Sequence, residues 1–439
     1  FNSGLEAVTI SFDKPLATDT VNPNTFKLLN GSGELVPAKN IQLRSSDRLV
    51  QLTFEPLPQS DYQLVILGSS VTDRVGNVLS ESDVVSEFAL ETRVTFSSYT
   101  IPLDDNLRDF IPGDVNGDEI VDLVVAGNSK TSILFGAGDG TFPADSFLDI
   151  DLEAQLLGLG NFNSDDHLDL FSINSNNSAG VFLNDGDGTF SNEEIPVLPG
   201  ELEINNPSDV VIDDLNSDGV DDVVYGDYNQ GVTVLLGLGN GLFTKTNQHQ
   251  FSGLTDIGLA DFNQDGNLDV VASNDSSQKL SVFLGSGDGT LATGTEFSVG
   301  GYSNSVDVGD VNGDGNLDLI TGNTVYSSGS VSLLLGLGNG SFAPATNYFE
   351  DDSVPSAALG DLDGDHDLDL LWTTDPGSAS VPTLSWRLNS GSGSFGETNQ
   401  FLLEETELEQ VELADLDGDG YPDLIALSGG SLFTFRNEI

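Results

Sequence analysis

The chain has 439 residues, with 71 Asp plus Glu against 13 Lys plus Arg and a formal net charge of -58. Such a charge excludes nucleic-acid phosphate and anionic lipid as natural partners and leaves cations as the obvious complement. The absence of Cys excludes disulfides, thiolate metal sites and thiol nucleophiles, while 38% hydrophobic residues, 25 of the residues being Phe, suffice to build cores instead of a disordered polyacid.

A chain of this length predicts two or more folded units. No apolar run approaches the roughly 18 residues needed to span a bilayer. Phe1, with no Met or signal-like segment before it, reads as the start of an excised or processed piece. Residues 1–91 carry six basic and 12 acidic residues, whereas 92–439 carry seven and 59, so the composition changes near residue 91. In the first part, Val8-Thr9-Ile10-Ser11-Phe12, Leu52-Thr53-Phe54 and the alternation of Tyr62, Leu64 and Ile66 predict half-buried strands.

From residue 92 onward one nine-residue pattern, D-x-[DN]-x-D-x-x-x-D followed by apolar residues, recurs with a period near 50. Its copies start at Asp114, Asn161, Asp214, Asp261, Asp310, Asp361 and Asp415. That period accommodates four short strands with their turns, and seven copies imply seven propeller blades. Each loop is followed by an apolar run such as Leu123-Val124-Val125, a second run such as Ile133-Leu134-Phe135, and a Gly-rich turn such as Gly138-Asp139-Gly140-Thr141-Phe142. Asp-Gly or Asn-Gly supplies the positive φ of a tight hairpin there. Phe96 falls at the phase of an outer strand, and the last repeat stops at Ile439 where its own outer strand is due. Residues 92–103 are therefore expected to complete the last blade and close the ring.

Calcium takes six to eight oxygen ligands, which side chains at loop positions 1, 3, 5 and 9 and a carbonyl at position 7 can provide. The first loop offers Asp114, Asn116, Asp118, the Ile120 carbonyl and Asp122; the second offers Asn161, Asn163, Asp165, the His167 carbonyl and Asp169. The third offers Asp214, Asn216, Asp218, Val220 and Asp222, and the fourth Asp261, Asn263, Asp265, Asn267 and Asp269. The fifth offers Asp310, Asn312, Asp314, Asn316 and Asp318; the sixth Asp361, Asp363, Asp365, Asp367 and Asp369; the seventh Asp415, Asp417, Asp419, Tyr421 and Asp423. Affinity follows ligand charge, so up to seven Ca²⁺ are expected, tightest in the last two loops and weakest at Asn161. An EF-hand is excluded, since position 12 holds Val125, Ser172, Tyr225, Ala272, Thr321, Trp372 and Ala426 where it needs Glu.

The loops and Gly-Asp-Gly-Thr-Phe turns together resemble the FG-GAP/VCBS repeat of integrin α-subunit propellers and their bacterial relatives, over roughly 92–439. Glu119, Asp166 and His366 depart from that pattern at position 6, where Gly is usual. Residues 1–91 resemble the bacterial Ig-like domain of surface and S-layer proteins, through the strands above and Asp61-Tyr62 and Asp73-Arg74-Val75-Gly76-Asn77. These resemblances imply an all-β chain: an Ig-like β-sandwich at 1–91, then a seven-bladed β-propeller at 92–439 with calcium in its A–B loops. They also imply an extracellular or cell-surface location.

The expected role is a calcium-stabilised interaction or adhesion module for a protein or glycan partner. A lectin, a structural component of a surface layer or fibre and, last, a carbohydrate-active enzyme stand as alternatives. No H-E-x-x-H or G-x-S-x-G motif and only three His are present, so no catalytic residue is nominated and an enzyme is not expected. Longer connections near Leu198–Ser208, Thr321–Ser330 and Thr373–Pro382 suggest a ligand surface with Tyr225, Tyr228, Tyr302, Tyr326 and Trp372.

Overall fold

In the computed structural model the described residues are 5–11, 16–30, 35–44, 49–57, 60–67, 70–72, 84–90, 94, 96–101, 103, 106–191, 194–198, 202–325, 328–375, 382–402, 410–428 and 430–438. The chain divides into two compact units, one ending at Thr95 and one running Phe96–Glu438.

In the first unit, one sheet orders Leu5–Ser11, Leu49–Leu57 and Asn40–Arg44; a second orders Leu35–Val36, Phe26–Asn30, Ser60–Ile66 and Val84–Leu90. Both feed one core: Val50 and Leu52 from the first sheet meet Phe26, Leu28, Leu64 and Ile66 from the second. The alternation noted at Leu64 and Ile66 is thus the buried face of a strand. Asp73-Arg74-Val75-Gly76-Asn77 lies outside the described residues.

The second unit is a succession of small antiparallel sheets, seven among the described residues. The first orders Phe147–Ile150, Thr131–Leu134, Asp122–Gly127 and Leu107–Gly113 from outside to inside. The pattern repeats through the sixth sheet, Ala357–Gly360, Asp369–Thr374, Thr383–Arg387 and Asn399–Leu402. The fifth sheet varies it: its inner edge is split into Tyr302–Ser303 and Asp307–Gly309, both paired to Asp318–Val325. In the seventh, Gln410–Ala414, Asp423–Ser428 and Ser431–Asn437 are joined by Phe96–Ile101, with Asn437 opposite Phe96 and Leu432 opposite Ile101. The strand that opens this unit therefore pairs with the one that ends it, which spares the last sheet a bare edge at Ser431–Asn437.

The first six residues of every second strand are buried, because both its faces are covered by neighbouring sheets. In Asp318–Val325, Leu319 packs toward the fourth sheet with Val271 and Val282, while Ile320 packs toward the sixth with Leu370 and Trp372. A strand of this kind reads as a continuous apolar run instead of an alternating one. The inner strands crowd one another, and that explains the small residue before most loops. A Cβ at Gly113 would sit 2.7 Å from Leu159 Cδ1, and one at Gly360 2.7 Å from Leu413 Cδ1, each on the next sheet's inner strand.

Candidate metal centre

All seven acidic loops connect an inner strand to the buried second strand, and all share one backbone design. Positions 4 and 6 are left-handed throughout. At position 4 these are Gly117, Ser164, Ser217, Gln264, Gly313, Gly364 and Gly418; at position 6, Glu119, Asp166, Gly219, Gly266, Gly315, His366 and Gly420. Glu119 at φ 66°, Asp166 at 66° and His366 at 72° therefore keep the loop's geometry without Gly, at a cost of about 1 kcal/mol each.

The side-chain oxygens of the loop are oriented by its own N–H groups. In the first loop, the N–H groups of Gly117 and Asp118 donate to Asp114 Oδ1 and that of Glu119 to Asp114 Oδ2 at 2.8 Å; Asp118 N–H also donates to Asn116 Oδ1, and Ile120 N–H to Asp118 Oδ1. The position 6 N–H repeats its bond to position 1 Oδ2 in the third to seventh loops. In the second loop Asn161 offers one side-chain oxygen, which accepts from Asp165 N–H at 3.2 Å.

Position 9 anchors the loop. Asp369, fully buried, accepts from Leu362 N–H at 2.9 Å through Oδ2 and from Asn389 N–H at 2.7 Å through Oδ1. Asp122, Asp169, Asp222, Asp269, Asp318 and Asp423 make the equivalent pairs. Burial first, then neighbouring carboxylates, push Asp369 and Asp423 up to about 7 and Asp363 up to about 6, despite the opposing hydrogen bonds at the two position 9 residues.

Three observations fit a divalent cation. Asp361, Asp363 and Asp369 bring one oxygen each within 4.8 Å of one another, and Asp415, Asp417 and Asp419 do the same. Asn216 Oδ1, at position 3 of the third loop, is enclosed and has no hydrogen-bond partner. An all-oxygen donor set of carboxylates, amides and a carbonyl suits a hard ion such as Ca²⁺. At position 7, His167 is exposed, and its N–H donates to Asp165 Oδ1 at 3.0 Å.

The loops also latch neighbouring sheets. The position 2 carbonyl of one loop accepts from the next sheet's Gly-rich turn: Phe162 O from Gly241 N–H at 2.9 Å, Phe262 O from Gly340 N–H at 3.0 Å and Val311 O from Gly393 N–H at 3.0 Å. Asn184, Asn389 and Asn437 add side-chain bonds to Val115 O, Val311 O and Leu362 O. Ordering a loop thereby orders its seam with the next sheet. Nothing in the nine-residue pattern signals these latches, because they join residues about 70–80 positions apart.

The expected aromatic ligand surface requires correction. Tyr225 is 1% exposed and Trp372 0%. Both lie on second strands, where neighbouring sheets cover both faces, so bulk there fills a seam instead of meeting solvent. Trp372 lies beneath the Arg387 guanidinium, 5.8 Å from its ring centroid. Tyr228 and Tyr302 are half-buried, and Tyr326 lies outside the described residues.

Small four-stranded sheets in succession, packed edge by edge on their inner strands and closed by pairing first strand to last, define a β-propeller-like fold. The FG-GAP-like repeat family matches residues 161–225, 214–272, 261–321 and 361–426, more than half of the chain. The chain belongs to the FG-GAP-like repeat family. No curated protein matches it.

Among solved structures, a chain of BBS1N in complex with ARL6DN is similar at 11% identity and TM-score 0.54, over 79% of this chain and 98% of that one. A chain of the COPII outer coat vertex on membranes is similar at 12% identity and TM-score 0.52, over 76% and 84%. A lectin from Agrocybe aegerita that recognises non-reducing terminal N-acetylglucosamine aligns over 85% and 93% at 14% identity, with TM-score 0.49.

Proposed function

We propose that the protein is a seven-bladed propeller braced by calcium, serving as a binding or adhesion module for a protein or glycan at the cell surface, behind an Ig-like spacer at 1–91. The observation that carries the calcium reading is the converging oxygen set of Asp361, Asp363 and Asp369, built on a loop backbone repeated in all seven copies. Asp114, Asp214, Asp261, Asp310, Asp361 and Asp415 and their position 3, 5 and 9 companions would hold the ion, which would neutralise carboxylates that otherwise repel. Binding free energy then becomes folding free energy. The loops of lower charge, above all that of Asn161, Asn163, Asp165 and Asp169, would fill at the higher calcium levels outside cells. That supports an extracellular setting.

The role as an interaction scaffold is supported by the fold, which presents many connections from a rigid ring. Titration calorimetry on protein stripped with EGTA tests the reading: several equivalents of Ca²⁺ bound, with a rise in melting temperature, are expected. No calcium heat and unchanged melting would overturn it.

A further inference from the structure

One residue of the closing sheet breaks a rule that the other six sheets keep. At the end of each third strand an N–H donates to the position 9 Oδ1. The residue before that N–H is Phe135, Leu183, Leu236, Leu284, Leu335 or Leu388 in the first six sheets and Arg436 in the seventh. The apolar side chains lie beneath the next sheet's Gly-rich turn: a Cβ at Gly188 would sit 2.4 Å from Phe135 Cε1, one at Gly289 2.5 Å from Leu236 Cδ2 and one at Gly340 2.7 Å from Leu284 Cδ2. Arg436 takes the same place at the closing seam, its Cδ 3.4 Å from where a Cβ at Gly140 of the first sheet's turn would stand.

The stem of Arg436 thus packs as a Leu would, and its head adds a charge. Nε lies 3.7 Å from Asp417 Oδ2, at position 3 of the seventh loop, and Nη2 lies 2.9 Å from Glu438 Oε1. The same Glu438 oxygen accepts from Ser97 Oγ, on the strand Phe96–Ile101 that completes this sheet. One guanidinium therefore joins a loop oxygen to the strand on which ring closure depends. The other Lys and Arg side chains described in this unit are turned away from the loops: Lys130 to Asp149, Lys279 to Glu296, Lys245 to Gln248, Arg108 to Asn128 and Ser175, and Arg387 to Thr398.

We propose that Arg436 is an internal counter-ion of the seventh loop, a cation that shares Asp417 with calcium and holds the closing strand when calcium is absent. The proposal rests on the calcium reading above. The sixth loop supplies the comparison: Asp361, Asp363, Asp365 and Asp369 match Asp415, Asp417, Asp419 and Asp423 in charge, while Leu388 stands where Arg436 does. Ligand charge alone makes the two sites equal. A guanidinium beside position 3 repels an arriving ion and engages one of its oxygens, so the seventh site fills after the sixth. Calcium entering it releases the guanidinium from Asp417 to Glu438 alone.

The test uses the whole chain stripped with EGTA. In calcium calorimetry Arg436→Leu, which installs the side chain of the sibling sheets, is expected to tighten one equivalent by roughly threefold to fivefold. Glu438→Gln, which leaves the guanidinium to Asp417, is expected to weaken one equivalent. In EGTA the urea midpoint of Arg436→Leu is expected to fall, and by more than that of Lys130→Leu, which breaks an ion pair outside the loops. Trp386 reports the loss, because its ring meets Phe96 of the closing strand edge to face at 5.5 Å. Calcium affinities that Arg436→Leu leaves equal to those of a calcium-binding parent, an equivalent that Glu438→Gln tightens, or an unchanged midpoint in EGTA would overturn the counter-ion. A parent that takes up no calcium would instead overturn the metal reading and with it the sharing of Asp417, and the midpoint in EGTA would then decide the hold on the closing strand by itself.

Discussion

Replacing Asp369 by Asn separates the two tasks of a loop carboxylate. Its two oxygens accept from Leu362 N–H at 2.9 Å and Asn389 N–H at 2.7 Å, in a fully buried setting. Asn can accept one of these bonds; its amide would point N–H groups at the other donor. An unsatisfied buried donor costs about 1–3 kcal/mol, and losing the charge on the retained bond adds about 1. The expected loss without calcium is thus about 2–4 kcal/mol, before any effect on metal.

Asp365→Asn is the control. Its side chain is exposed and accepts from Asp367 N–H at 3.0 Å, which Asn can preserve. In EGTA it is expected to change stability by about 0.5 kcal/mol or less. Both variants are expected to weaken calcium binding. The assay is urea unfolding followed by Trp fluorescence, because Trp372 and Trp386, the chain's two Trp, both lie in the sixth sheet. It is run at pH 8, above the raised value of about 7 for Asp369. Equal stability of Asp369→Asn and parent in EGTA would refute the anchoring role.

Three further outcomes are expected. His366→Gly and Glu119→Gly, at φ 72° and 66°, are expected to be neutral or stabilising by up to about 1 kcal/mol, whereas Gly315→Ala, at φ 83°, loses about 1; thermal melts in calcium decide it. Asn161→Asp is expected to add one tighter calcium site by calorimetry while lowering stability in EGTA, because the new charge lies beside Asp221, whose Oδ2 accepts from Asn161 N–H at 2.7 Å. In EGTA the loop carboxylates, raised to about 6 for Asp122 and about 7 for Asp222, favour the folded state below their unfolded pKa and lose that contribution as pH rises through 6–7. Saturating calcium, which competes with protons at these oxygens, is expected to shrink that fall; a fall of equal size in calcium would argue against ligation.

Much of this protein is local, and local features are readable from residues in order. The seven loops show through because each packs its donors, acceptors and left-handed positions within nine residues, so spacing alone specifies the turn. Even Glu119, Asp166 and His366 follow the loop instead of altering it, since the surrounding N–H bonds to position 1 and position 5 oxygens over-determine the turn. The repeat length likewise foretold small sheets of four strands.

What depends on neighbours in space required the tertiary structure. Tyr225 and Trp372 are aromatic residues near long connections in sequence, yet their strands are covered on both faces, and sheet packing alone decides that. The carboxyl groups of Asp109, Asp209, Asp256 and Asp307 accept from N–H groups about 50 residues further along the chain, and only the packing of neighbouring inner strands brings those partners together. Periodicity reports which way a side chain leaves its own strand; it carries no information about what stands opposite, and charge, desolvation and hydrogen bonding are properties of that opposite surface.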